Sequence, residues 1–406
     1  MEEWKTYKIG SLCSISSSKR IFAKEYQSSG IPFYRGKEVI EKQKGETVST
    51  ELYISKSRYD EIKNKFGVPE EGDMLLTSVG TLGIPYVVKN ETFYFKDGNL
   101  TWFSNFKGIN SKFLYYWFLS PMAKNAIDAK AIGSTQKALT IDALSKFEID
   151  IPNIETQEKI VSILSSLDSK IELNRRINDN LEQQAQALFK SWFVDFEPFK
   201  NGEFVDSELG MIPKGWRIVT LGEVTKQITE KVGDREDITV LSPINSGELV
   251  LSEEYFTKQV FSKNLSKYIV VKPLSFAYNP ARINIGSIGL NTFDFVGCVS
   301  PVYVVFECES NYHYFFDFYK RTATFKDEVI LRAIGGVRQS LGYNDLSLIK
   351  TIYPTPEVVV EFNSLYLKMK KVIEQNVAQN ERFISLRDTL LPKLMSGELK
   401  INLLNS

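Results

Sequence analysis

A single histidine, His313, limits the chemistry this chain can perform by itself. Ser-His-Asp and Cys-His mechanisms would both need that one ring. It lies in Tyr312-His313-Tyr314-Phe315-Phe316, which reads as an aromatic packing segment rather than a catalytic one. The three cysteines, Cys13, Cys298 and Cys308, are too few and too scattered for a disulfide framework or a zinc ribbon. A phosphate cradle would need G-x-x-x-x-G-K-[ST]. The nearest string, Gly30 to Glu38, has the wrong spacing and ends in glutamate. Gly80 with Gly83, and Gly286 with Gly289, are short pairs that fall short of a dinucleotide or S-adenosylmethionine turn. Asn279-Pro280-Ala281-Arg282 lacks the second proline and the aromatic residue that an amino-methyltransferase would carry. No paired His or Cys cluster offers metal ligands. The expectation is a chain without catalytic, cofactor-binding or metal residues of its own, and so not an enzyme.

What remains suits contact with DNA. Two glycine loops repeat: Gly133 followed by Ser134, Thr135, Gln136 and Lys137, and Gly335 followed by Gly336, Val337, Arg338 and Gln339. Glycine lets a backbone approach a duplex closely, and Gln136, Lys137, Arg338 and Gln339 can reach base edges or phosphates. The alternative is a tight connector whose polar side chains are merely solvated. A second type of turn groups Tyr34, Arg35, Gly36 and Lys37 with Ser78 to Thr81, and also Tyr278, Asn279 and Arg282. Arg35, Lys37, Ser78, Thr81, Tyr278, Asn279 and Arg282 are candidates for phosphate positioning and base contact. For any one of them, a plain turn with a surface side chain is the competing reading.

The chain is an internal repeat. Ala131 to Leu139 aligns with Ala333 to Leu341 at an offset of 202. The same offset places Leu144 on Leu346, Pro152 on Pro354 and Glu155 on Glu357. Trp4 to Gly10 matches Trp216 to Gly222 at an offset of 212. After each proline comes a stretch without helix breakers. Ile160, Leu164, Leu167, Ile171, Asn174, Asn178, Leu181, Ala185 and Leu188 recur at spacings of four and three, and adding 202 gives Phe362, Tyr366, Met369, Ile373, Asn376, Asn380, Phe383, Arg387 and Leu390. This is a heptad seam in both copies. Each helix of about 36 residues would be roughly 54 Å long. A buried asparagine costs stability but fixes register. In an antiparallel pair, Asn174 would face Asn380 and Asn178 would face Asn376, each amide both donating and accepting. Arg387 in place of Ala185 reads as a loosened end of the seam or a surface for a partner.

Composition agrees with a globular chain: 406 residues, 43% hydrophobic and 25% charged, with 50 basic and 50 acidic residues. A histone-like coat is excluded, and a local basic face is not. Residues 1–153 hold 21 Lys/Arg against 18 Asp/Glu, while residues 206–354 hold 16 against 17. No signal peptide and no run of 18 apolar residues is visible, so a reducing cytoplasm and no membrane are expected. The fold class expected is α+β: two globular α/β domains, residues 1–153 and 206–354, separated by a long antiparallel two-helix coiled coil. The spacer segments are residues 154–205 and 355–406, related by a pseudo-two-fold internal repeat.

The stretch Leu188 to Phe199 (LFKSWFVDFEPF), then Ser207 to Trp216 (SELGMIPKGW) and Leu390 to Glu398 (LLPKLMSGE), resembles the specificity subunit of type I restriction–modification systems. The resemblance covers essentially the full length and includes the duplicated order of recognition domain and helical region. It implies that each recognition domain reads one half of a bipartite, asymmetric site in double-stranded DNA. It implies that the helices act as spacer and docking surface for two modification (methyltransferase) subunits, joined by restriction (translocase and nuclease) subunits. S-adenosylmethionine, ATP and Mg would then be bound by those partners. The competing expectations are a coiled-coil scaffold without a DNA role and a DNA methyltransferase with unrecognised motifs.

Overall fold

The computed structural model describes residues 4–46, 48–133, 137–256, 258, 261–333 and 340–399. The chain divides into two compact units, Met1–Arg176 with Gln375–Ser406, and Ile177–Glu374. Each unit therefore contains a globular segment together with part of each of two long helices, Ile154–Phe193 and Pro356–Met395.

In the first unit an antiparallel sheet runs in the order Ser14–Ser16, Leu100–Ser104, Met74–Thr77, Pro85–Val87. A second sheet places Ile31–Tyr34 between Tyr53–Ile54 and Tyr94–Phe95, the last pairing being parallel. The second unit repeats this plan. Thr225–Ile228, Val304–Cys308, Phe276–Tyr278 and Ile288–Leu290 form the antiparallel sheet. Leu249–Leu251, Thr239–Pro243, Gly297–Val299 and Ile269–Val271 form the other, again with one parallel pairing.

The repeat legible in the sequence recurs in the register of the terminal strands. Lys5–Lys8 pairs with Glu148–Ile151 so that Lys5 faces Ile151, and Arg217–Thr220 pairs with Lys350–Tyr353 so that Arg217 faces Tyr353. The strand Glu148–Ile151 alternates exposed and buried, which pins that register because a one-residue slip would turn Ile149 and Ile151 outward. Beyond the strands, Ile9 N donates to Phe147 O at 2.9 Å and Leu221 N donates to Ile349 O at 2.9 Å. A Cβ on Gly10 would lie 2.8 Å from Ser145 Cβ, and one on Gly222 would lie 3.0 Å from Ser347 Cβ, so the same close crossing keeps glycine at both places. Helices Pro121–Lys130 and Ala323–Arg332 begin on matching hydroxyl caps, Ser120 accepting from Ala123 N and Thr322 from Phe325 N.

The long helices start where sequence chemistry says they should. Asn153 Oδ1 accepts from Thr156 N at 2.9 Å, and Pro356 occupies the first position of the second helix. Within each unit the two helices run antiparallel. In the first, Ile160 and Leu164 pack with Leu391, Leu394 and the helix Ser111–Leu119. In the second, Phe189 is buried with its ring 5.4 Å from Phe318, 5.6 Å from Phe315 and 5.8 Å from Phe362. Truncating such a ring to alanine typically costs about 3–5 kcal/mol.

Asn174 and Asn380 pair as the antiparallel reading requires. Asn174 Nδ2 donates to Asn380 Oδ1 at 2.9 Å and to Gln379 Oε1 at 2.7 Å, and Asn380 Nδ2 donates to Ile171 O at 3.3 Å. Asn178 Nδ2 reaches Ile373 O at 3.4 Å, and Asn376 is half-buried. Arg387 corrects an expectation. It does not loosen its end of the seam: its guanidinium donates to Asp168 Oδ1 at 2.9 Å, and Tyr116 donates to the other oxygen of that carboxylate at 2.7 Å.

Candidate nucleic-acid interface

In the first unit, four turns meet at the ends of the two sheets. Lys96 N donates to Tyr34 O at 2.8 Å, and Ser78 N donates to Asn99 O at 2.8 Å. Gly36 lies against Thr77, and Gly80 N donates to Lys137 O at 3.2 Å. Leu139 N closes the set on Ser78 O at 2.9 Å. The glycine loop and the Ser78–Thr81 turn, separate in the sequence, thus form one composite element. Lys137 is exposed, with Asp128 Oδ1 3.9 Å from its ammonium, and Thr81 is exposed.

The second unit builds the counterpart. Leu341 N donates to Pro280 O at 3.1 Å, so the pairing of residues 78 and 139 recurs at 280 and 341. Asn279 Oδ1 accepts from Ala281 N at 3.0 Å, which fixes the turn before Arg282. Ser287 Oγ donates to Pro243 O at 2.9 Å. Gly286 has φ +95°, and a Cβ there would lie 2.6 Å from Asn245 O. Arg282 and Asn284 are exposed, and Arg282 makes no ion pair among the described residues.

Beside these turns is a cavity of about 330 Å³, lined in part by Asn245, Ile283, Asn284, Lys320 and Lys326. Its wall is held by Lys320, whose side chain is only 1% exposed. The ammonium donates to Gly247 O at 2.7 Å and Ile288 O at 3.1 Å and pairs with Asp317 at 2.6 Å. Burial pulls the Lys320 pKa below the usual lysine range, against the opposing pull of Asp317.

The sequence candidates fall into distinct places. Thr81, Lys137 and Arg282 are exposed on the turns, and half-buried Asn279 shapes its own. Lys37 is exposed, 3.6 Å from Glu41. Arg35 is half-buried and clamped: its guanidinium meets Glu38 Oε1 at 2.7 Å, and Glu38 is fully buried. Ser78 and Tyr278 are buried side chains. Ser78 Oγ shares a 2.6 Å hydrogen bond with Thr101, and the Tyr278 ring packs against Phe306. What these two bring to the surface is the course of their backbone. Thr135, Gln136, Arg338 and Gln339 lie outside the described residues.

Two basic residues on the first face were not singled out from the sequence. Lys96 joins through the backbone bond to Tyr34, and Arg20 is 69% exposed with its Nε 2.7 Å from Asp97. The signal available was the basic end of Ser16-Ser17-Ser18-Lys19-Arg20, which carried no visible link to the other turns. His313 is half-buried 4.2 Å from the Tyr314 ring, and burial lowers its pKa. Cys13 and Cys298 are buried, Cys308 is half-buried, and burial pushes all three thiols up. No group of three or more potential metal ligands occurs among the described residues, and no described helix is long and apolar enough to cross a membrane.

A family model described as a type I restriction modification DNA specificity domain matches residues 1–183. The type I restriction enzyme MjaIX specificity subunit of Methanocaldococcus jannaschii is 27% identical, over 98% of this chain and 94% of that protein. The HindI specificity subunit of Haemophilus influenzae is 24% identical, over 67% of this chain and 73% of that protein. Among solved structures, a type I restriction–modification S subunit from M. genitalium superposes with a TM-score of 0.58 at 17% identity, covering 97% of this chain and 96% of that one.

Proposed function

We propose that this chain, which belongs to the family of type I restriction–modification DNA specificity subunits, reads its DNA target with two faces, one in each unit. The observation that carries this reading is the repeated backbone bond, Leu139 N to Ser78 O and Leu341 N to Pro280 O. The same two turns are brought together twice, and exposed cations sit on both: Lys137 on one, Arg282 on the other. Lysine and arginine there neutralise phosphates, which gives affinity and salt dependence. Arginine, asparagine and glutamine add donors that distinguish base edges in the major groove. The two faces share this bond and differ in side chains, so they would read different half-sites, giving a bipartite asymmetric target.

In this reading the chain positions partners and does no chemistry itself. Two modification subunits would supply S-adenosylmethionine and methyl transfer to adenine, and restriction subunits would supply ATP-driven translocation and cleavage with Mg. Domain limits near residues 153, 205 and 354 belong to the same proposal. The test is binding of DNA by the chain assembled with its modification subunit, with the salt concentration varied. Sequence-selective binding that weakens steeply with salt is expected. Binding indifferent to sequence would refute the reading.

A further inference from the structure

The two halves of the chain repeat their helical seam, so each half carries a surface that suits the other half and nearly suits itself. One position breaks that equivalence. In the first unit the seam holds an ionic triad: Asp168 Oδ1 accepts from Arg387 at 2.9 Å, and Asp168 Oδ2 accepts from Tyr116 at 2.7 Å. Tyr116 is buried, and the Asp168 and Arg387 side chains are 30% and 25% exposed. Shifting by 202 gives the residues at the matching places in the second unit: Phe318 for Tyr116, Lys370 for Asp168, and Ala185 for Arg387. There Ala185 and Phe318 are buried in an aromatic core, and Lys370 lies 5.5 Å over the Tyr314 ring and 3.6 Å from Glu374. The triad has no ionic equivalent.

We propose that Asp168, Tyr116 and Arg387 form a pairing lock, which selects the long helix of the same chain over the matching helix of a second copy. The register decides what each wrong pairing would meet. Residue 168 faces residue 387, so two first helices set antiparallel at the matching register would oppose Asp168 with Ala185 of the other copy. Asp168 and Tyr116 would then lose their cation at both ends of the pair. Two second helices would oppose Arg387 with Lys370, placing like charges together twice. Each self-pairing fails for a different electrostatic reason, and only the pairing of unlike halves satisfies the carboxylate. The seam asparagines cannot supply this choice. They recur at 174 and 178 and at 376 and 380, so an asparagine would meet an asparagine in either self-pairing. They set register, and the ionic triad sets the partner.

The full-length chain tests this. Arg387→Asp removes the attraction to Asp168 and makes residue 387 attractive to Lys370 of a second copy. Light scattering of the purified variant should show a dimer fraction at least roughly tenfold above the wild-type chain at equal concentration. Adding Lys370→Glu to that variant should return it to monomer, because residue 370 meets 387 only in the self-paired register. Exchange of identical helices between chains would keep 168 opposite 387 and would not respond to position 370. Asp168→Ala with Lys370→Glu is the second route, since it keeps Arg387 and offers it a carboxylate on another copy; it too should dimerise. A folded Arg387→Asp variant that stays monomeric overturns the proposal, as do a dimer indifferent to Lys370→Glu and a wild-type chain already dimeric through its second helices. If Arg387→Asp does not fold, a monomeric Asp168→Ala, Lys370→Glu chain overturns it instead.

Discussion

Replacing Lys320 with methionine tests whether a buried ammonium organises the turns of the second unit. Methionine is unbranched and only one heavy atom shorter, and it removes every donor. Gly247 O and Ile288 O then lose partners now at 2.7 and 3.1 Å. Each stranded carbonyl costs on the order of 1–3 kcal/mol. Asp317 keeps Arg321, whose guanidinium donates at 2.7 Å. Opposing these losses, the variant no longer buries a charge, a burial that costs several kcal/mol in the wild-type chain. Breaking a buried pair by removing one partner typically costs about 3–5 kcal/mol, and with Arg321 still in place the low end, about 3 kcal/mol, applies here. With a denaturant slope of about 3 kcal/mol per molar urea, the midpoint should fall by about 1 M. Hydrogen exchange should quicken at the turn that Lys320 holds through Gly247. An unchanged or raised midpoint would refute the reasoning, by showing that relief from desolvation outweighs the three lost bonds.

Three more outcomes are expected. Arg282→Ala and Lys137→Ala should each weaken DNA binding by about 1–3 kcal/mol where the residue reads a base, or lower the salt slope by about one where it touches a phosphate; titration at several salt concentrations separates the two. His313→Phe should flatten the acid limb of stability. Burial lowers the folded-state pKa of His313, with Lys370 adding to the shift and Asp317 opposing it, so below about pH 6.5 the unfolded chain takes up a proton that the folded chain resists. Wild-type stability therefore falls as pH drops through that window, and urea midpoints at pH 7.5 and 5.5 should differ less in the variant. Asn174→Leu with Asn380→Leu should raise the melting temperature, because two buried amides give way to apolar packing, while a register-reporting cysteine cross-link between the helices becomes less specific.

The architecture was legible because a duplication writes itself twice. The offset of 202 predicted that residue 341 does what residue 139 does, and the backbone bonds agree. Asn174 opposite Asn380 followed from heptad spacing and topology alone. Side-chain roles were harder to read. Lys320 stands in Tyr319-Lys320-Arg321-Thr322, a string with no signal of burial, and only the fold shows two carbonyls and a carboxylate around it. Arg387 read as a loosened end or a partner surface because the carboxylate it meets, Asp168, and the tyrosine that shares that carboxylate, Tyr116, come from two other helical segments with no shared spacing. Tyr278 and Ser78 sit in turn-like strings, yet their side chains are buried, since the strands Met74–Thr77 and Phe276–Tyr278 are buried at every position and that burial runs up to the turns. On the candidate faces, spacing identified the turns and not the side chains they expose.

The central claim is that this chain alone dictates which DNA sequence its assembly modifies. The direct measurement is genome-wide methylation sequencing of cells expressing the modification subunit with the wild-type chain, without it, and with residues 78–83 and 133–138 exchanged for those of a relative. One bipartite motif should appear with the wild-type chain and vanish without it, and the exchange should alter one arm of the motif while sparing the other. A motif that persists in the absence of the chain, or two arms that change together, would contradict the account.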